Sequence, residues 1–153
     1  MALNAAGITS AIAALSVSGV TMVDVSSVKD RYESRDCPLF FPMPGAYIGG
    51  GSGTADNDEH TFGASGAGMW TSHRVFSYVF LYKAVGTDRT TSEVYSAAIT
   101  KAEAIWTALF TLNVSGADVQ TVTHEPLGVV NDPADKKFIG CIFRITMRER
   151  VNA

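Results

Sequence analysis

The stretch MWTSHRVFSYVFLYK, residues 69–83, carries Trp70, Phe76, Tyr78, Phe80 and Tyr82 at even positions and Val75, Val79 and Leu81 at odd ones. Side chains alternate across a strand, so a segment apolar in both registers needs cover on both faces, and it predicts a central β-strand. Gly86 and Asp88 then supply a turn, and Thr91 or Ser92 can cap a helix. The apolar positions of that helix fall in two neighbouring rows: Val94, Ala98, Ala102, Ile105 and Leu109, and beside them Tyr95, Ile99, Trp106 and Phe110. Both rows read as core. Strand and helix together predict a sheet with a helix laid against it.

Two further strands are predicted downstream, from about Ala117 to Val130 with an interruption at Pro126, and from Phe138 to Val151. The turn Asn131-Asp132-Pro133-Ala134-Asp135 joins them. In the last strand Ile139, Cys141, Phe143, Ile145 and Met147 share one face, and Gly140, Arg144, Thr146 and Arg148 the other, so one side is expected to be core and the other wet. Upstream, Leu3, Ile8, Ile12 and Leu15 recur at helical spacing, with Asn4 available as a cap. Val20, Met22 and Val25 give a partial strand alternation, and Asp30 to Asp36 form a charged, solvated turn. The segment CPLFFPMPG, residues 37–45, sets three prolines among large apolar residues. Proline cannot donate to a ladder, so the segment is expected to be an extended crossing or edge piece whose aromatics something covers. The whole predicts an α+β fold: a single domain over residues 1–153, with an antiparallel or mixed sheet of about four strands and two helices packed on one face.

Residues 45–68 hold eight of the chain's 14 glycines, no Lys or Arg, and the acidic run Asp56-Asn57-Asp58-Glu59-His60. This predicts a long glycine-rich loop. Ordering so much glycine costs entropy, which points to a partner as the agent that orders it. Composition agrees. The chain is 46% hydrophobic and only 18% charged, with a net charge of −3. That is fewer charges than the ~25% of an average soluble protein, and it is expected of a chain whose surface is partly covered by sister subunits. A net negative chain lacks the basic footprint of sequence-specific DNA or RNA binding.

Cys37 and Cys141 fit no metal-ligand or disulfide-scaffold spacing and are expected to be small buried hydrophobes. The opening residues lack the basic start of a secretory signal, and no run approaches the ~20 apolar residues that cross a bilayer, so a cytosolic protein without membrane contact is expected.

Motifs for catalysis are weak. Gly49-Gly50-Gly51-Ser52-Gly53 lacks the Lys-Ser/Thr of a phosphate loop, and Gly63-Ala64-Ser65-Gly66-Ala67 lacks both the final glycine and the strand of a nucleophile elbow. His73 and His124 fall on predicted strands as structural residues. The aromatic strand could stack bases, but Arg74 and Lys83 are its only positive charges. Asp56, Asp58, Glu59 and His60 could hold a divalent ion, though at no calcium-loop spacing, which leaves a metal-binding enzyme domain as the lesser alternative. No enzyme activity, cofactor or resident metal is expected. Charge is distributed unevenly: five of the 12 basic residues lie in the final 18 positions, whereas residues 36–73 hold four acids and no Lys or Arg. A head-to-tail contact would set Arg144, Arg148 and Arg150 of one subunit against the loop residues Tyr47, Asp56, Asp58 and Glu59 of the next.

The order of elements resembles the tail terminator proteins of long-tailed bacteriophages. The likeness rests on the N-terminal helix, the crossing Cys37-Pro38-Leu39-Phe40-Phe41-Pro42, the strand Arg74–Tyr82, the helix from about Ser92 and the closing strand Phe138–Ile145. It implies a small α+β virion subunit, assembled in the bacterial host cytoplasm. Six copies would form a ring in the neck of the tail, meeting the tail tube protein on one side and the head-tail connector on the other. Genomic DNA would pass through the ring without specific binding, which a low net charge and an acidic loop suit. A head-tail connector or a tail tube subunit is the alternative within the same class.

Overall fold

The computed structural model of the chain describes residues 5–43, 57–61, 69–86 and 91–152. Two α-helices, α1 (Ala5–Ala13) and α2 (Thr91–Leu109), accompany seven strands: β1 (Thr21–Met22), β2 (Leu39–Pro42), β3 (Asn57–Thr61), β4 (Met69–Ala84), β5 (Ala117–His124), β6 (Gly128–Asn131) and β7 (Lys137–Asn152). All seven belong to one sheet whose main path runs β1-β2-β4-β7-β5. The β1–β2 pair is parallel and the others antiparallel, so the sheet is mixed.

Two 16-residue strands form its spine. β4 pairs with β7 from Met69↔Asn152 to Ala84↔Phe138, with a bulge between Leu81 and Lys83. β2 and β3 lie end to end along the outer side of β4, at Tyr78–Leu81 and Met69–His73. β6 and β5 lie end to end along the outer side of β7. Gly140 is needed where β4 bulges. A Cβ there would run into the backbone carbonyl oxygen of Phe80.

The alternation of β4 and β7 divides the interior in two. On the helix side, Ile8 and Ile12 of α1 and Ala102, Ile105 and Leu109 of α2 pack on Phe40, Tyr78, Phe80, Cys141, Phe143, Ile145 and Met147. Both helices therefore lie on one face, as expected. Among the described residues the opposite face is covered at one end, where Tyr32, Leu39, Phe41, Val79, Leu81, Ala84 and Phe138 form a second cluster. Tyr32 closes it, its ring 4.9 Å from that of Phe41. The turn 30–36 is thus charged on its outside, as its composition predicts, yet its one aromatic is 2% exposed.

Several expectations change. Among the described residues the sheet has seven strands rather than about four: β1 falls where a partial alternation was expected, but β2 was expected as a crossing or edge piece, β3 lies in the expected loop, and the 117–130 strand divides around Pro126 into β5 and β6. Part of the expected 45–68 loop is strand β3, held by five rungs to β4; residues 45–56 and 62–68 lie outside the described residues. The proline segment is a sheet strand one position inside the border, not a crossing. Pro38 precedes β2 and Pro42 ends it, so β1 pairs only with Leu39 and Phe40 between them. The first helix starts at Ala5 and stops at Ala13.

Candidate interaction surface

The two apolar rows of α2 part company. Val94, Ala98, Ala102, Ile105 and Leu109 are buried, whereas Ile99, Trp106 and Phe110 are 46%, 40% and 49% exposed. Three polar ties fix this rotation of the helix. Tyr95 Oη donates to the Leu127 carbonyl at 3.1 Å, Trp106 Nε1 donates to the Val122 carbonyl at 3.1 Å, and Lys101 Nζ donates to the Ser18 carbonyl at 2.7 Å. The first two bind α2 to β5 and the connection that follows it, the third to the turn between α1 and β1. Ile99 and Phe110 are left above the outer border of the sheet. Phe110 meets the Trp106 ring edge-on at 4.7 Å. Both rows had been read as core; the second is a surface stripe.

On the helix-free face, beyond the Tyr32 cluster, the sheet becomes polar. Ser77, Arg144 and Thr123 share one rung, Val75, Thr146 and Thr121 the next, and His73, Arg148 and Asp118 the next. Both arginines are already occupied: Arg144 Nη2 lies 3.0 Å from Glu125 Oε1, and Arg148 Nη2 lies 3.1 Å from Asp118 Oδ2. Each guanidinium keeps its Nε without an acceptor. Two of the five basic residues of the C-terminal run, Arg144 and Arg148, are therefore matched within the chain. Arg150 continues this strand opposite Thr71.

Of the other expected interface residues, Asp58 and Glu59 sit on β3, in register with Ser72 and Thr71, while Tyr47 and Asp56 lie outside the described residues. Asp58, Glu59 and His60 are successive positions of β3. Among the described residues no group of three His, Cys, Asp or Glu side chains is placed to hold a metal. His124 stacks on Phe143 with ring centres 5.1 Å apart, and His73 is half-buried on β4, opposite Arg148.

A cleft of about 580 Å³ opens at the far border of the sheet, lined by Thr21, Met22, Asp24, Lys29, Tyr32 and Asp36 among others. Its polar atoms are spent locally. Val25 N–H donates to Asp24 Oδ1 at 2.8 Å, Glu33 N–H to Asp36 Oδ2 at 2.8 Å, and Lys29 N–H to Tyr32 Oη at 3.0 Å.

Both cysteines were expected to be buried; Cys141 is, and Cys37 is only half-buried. Burial, with Glu125 adding, pushes Cys141 up to about 12, and burial with Asp36 does the same to Cys37. Neither is a nucleophile at neutral pH. What the surface offers is an exposed apolar stripe beside a sheet border, which suits contact with another macromolecule. Among the described residues no helix is long and apolar enough to cross a membrane. Comparison of the chain with protein-family models, curated proteins and solved structures finds no match.

Proposed function

We propose that this chain is a structural subunit that works as a homo-oligomer, in the manner of a tail terminator: a ring, hexameric by the resemblance, that caps the phage tail tube, stops its polymerisation and joins it to the head connector. The observation that carries the reading is the row Ile99, Trp106 and Phe110, 40–49% exposed on a chain with few surface charges. Burying such a row on a neighbour contributes about 25 cal/mol per Å² of apolar area, and leaving it in water contributes nothing. Capping would be geometric. A subunit that fits the last tube ring but differs on its outer side leaves the next tube subunit nothing to bind.

Size-exclusion chromatography with light scattering, and electron microscopy of the protein mixed with tail tubes, test this together. Rings in solution, or densities closing tube ends, are expected. A monomer at high concentration that leaves tube ends bare would refute the proposal. The metal-binding alternative is tested by titration calorimetry with divalent ions on the wild type and on Asp58→Ala, where heat lost in the variant alone would favour it.

A further inference from the structure

We infer that the outer edge of β5, with the Ile99–Phe110 row of α2 above it, is one half of a contact between copies of this chain, and that it meets the outer edge of β3 on the neighbour. The inference rests on the ring reading and names the subunit contact that such a ring would use.

The direction of the β5 backbone follows from one bond. Glu125 N–H donates to the Ile142 carbonyl at 3.0 Å. Antiparallel ladders alternate, so Thr123 also turns its N–H and C=O to β7, while Val122 and His124 turn theirs outward. Trp106 takes the outward carbonyl of Val122; among the described residues no strand lies beside the others. β5 is eight residues long, about 27 Å, with neither Pro nor Lys. Its one charged residue, Asp118, is held by Arg148, and Glu125 just beyond it by Arg144. Short length, unmatched charge and proline are the usual guards of an exposed edge. This edge has none of them. With the helix layer about 10 Å above the sheet, the strip between them measures on the order of 300 Å², part of the ~800 Å² that one side of a specific interface buries.

The opposite border of the sheet offers two candidates for the other half. β1 has two residues; β3 has five, and among the described residues it pairs only with β4. Charge selects β3. Its sequence, Asn57-Asp58-Glu59-His60-Thr61, has two acids and no Lys or Arg. On the β5 side, Arg150 stands one residue past the last rung that β5 covers, Ala117↔Glu149. A neighbour's β3 lying along β5 and past its start brings Asp58 and Glu59 to that uncovered position. Two different edges make the contact heterologous, the kind that closes rings.

The test is cross-linking in the full chain with a short bismaleimide at pH 7, on a background in which the half-buried Cys37 is replaced by Ser (Cys37→Ser) and the buried Cys141 is kept. Glu59→Cys mixed with Ser115→Cys, at the start of β5 where Arg150 is uncovered, should give cross-linked dimers, each variant alone should give none, and the double variant should give ladders. Self-linking of Ser115→Cys would reveal a two-fold contact and overturn the inference. Oligomers by light scattering without any 59–115 link would overturn this contact while the ring reading stands. A monomeric wild type that leaves tube ends bare would take both down. As a second measure, Phe110→Glu should weaken self-association by roughly tenfold or more with an unchanged melting temperature; undiminished association would also overturn the contact.

Discussion

At the scale of single residues, three positions have sharply different costs. Gly140 faces the Phe80 carbonyl across the spine of the sheet, where any Cβ must displace main chain. Gly140→Ala should lower unfolding stability by about 1–3 kcal/mol, the usual cost of overpacking, measurable by urea denaturation. Ile105 is fully buried, and its replacement by Ala should cost about 2–5 kcal/mol. Trp106, one residue later, is 40% exposed and spends its indole N–H on the Val122 carbonyl. Trp106→Ala should therefore cost less than the ~3–5 kcal/mol of a buried Trp, about 1–2 kcal/mol. Equal losses at 105 and 106 would show that both rows are core after all. The titrating groups have a sign of their own. Burial raises both cysteines to about 12 from an ordinary value of 9.0, and raises Tyr32 and Tyr78 as well. Each group holds its proton more firmly folded than unfolded, so the contribution is intact below pH 9 and is lost as pH climbs toward 12. For Cys141 alone the slope approaches about 1.4 kcal/mol per pH unit within that window. Denaturation midpoints at pH 7, 9 and 10.5 should be level between the first two and fall at the third.

At the scale of elements, α2 and β2 show how packing overrules pattern. The helix was legible almost to the residue, because its period is sustained over five turns and the Thr91–Ser92 start precedes it. Which of its rows is buried was not legible. Both rows have helical spacing, and only the ties to Leu127, Val122 and Ser18 rotate one toward the sheet. For β2 the prolines argued against a strand, yet they bracket the paired residues and leave Phe40 and Phe41 free to face the two clusters. β3 was hidden inside a glycine-rich stretch; its alternation of polar residues carries no hydrophobic signal. A deletion of residues 49–66 tests its weight. It removes β3 but none of the described core residues, so the chain should keep a single cooperative melt at a lower temperature and lose self-association. A chain left unfolded by the deletion would make that segment part of the folding core.

At the scale of the whole molecule, the single fact to explain is a thin ionic coat over a well-filled interior. Among the described residues the sheet is covered by helices on one face and by Tyr32 and its neighbours at one end of the other, and the remaining face is polar with Arg144 and Arg148 matched internally. Among the described residues, Ile99, Trp106 and Phe110 form a contiguous exposed apolar row beside β5, whereas Val25, Val85 and Val129 are exposed singly elsewhere. Oligomer formation should accordingly be driven by apolar burial. It should survive 0.5 M salt in light scattering with little change, since screening weakens exposed charge contacts far more than hydrophobic ones; dissociation by salt would shift the weight to charge. The amino-acid sequence by itself determined the elements with long periods, β4, α2 and β7, the placement of helices against a sheet, and the scarcity of charge, because each is a local or compositional property. Only the tertiary structure decided which helix row meets water, that Arg144 and Arg148 answer to Glu125 and Asp118, and that, among the described residues, β3 and β5 border opposite sides of the sheet. These depend on contacts between residues far apart in the chain, and no local period encodes them.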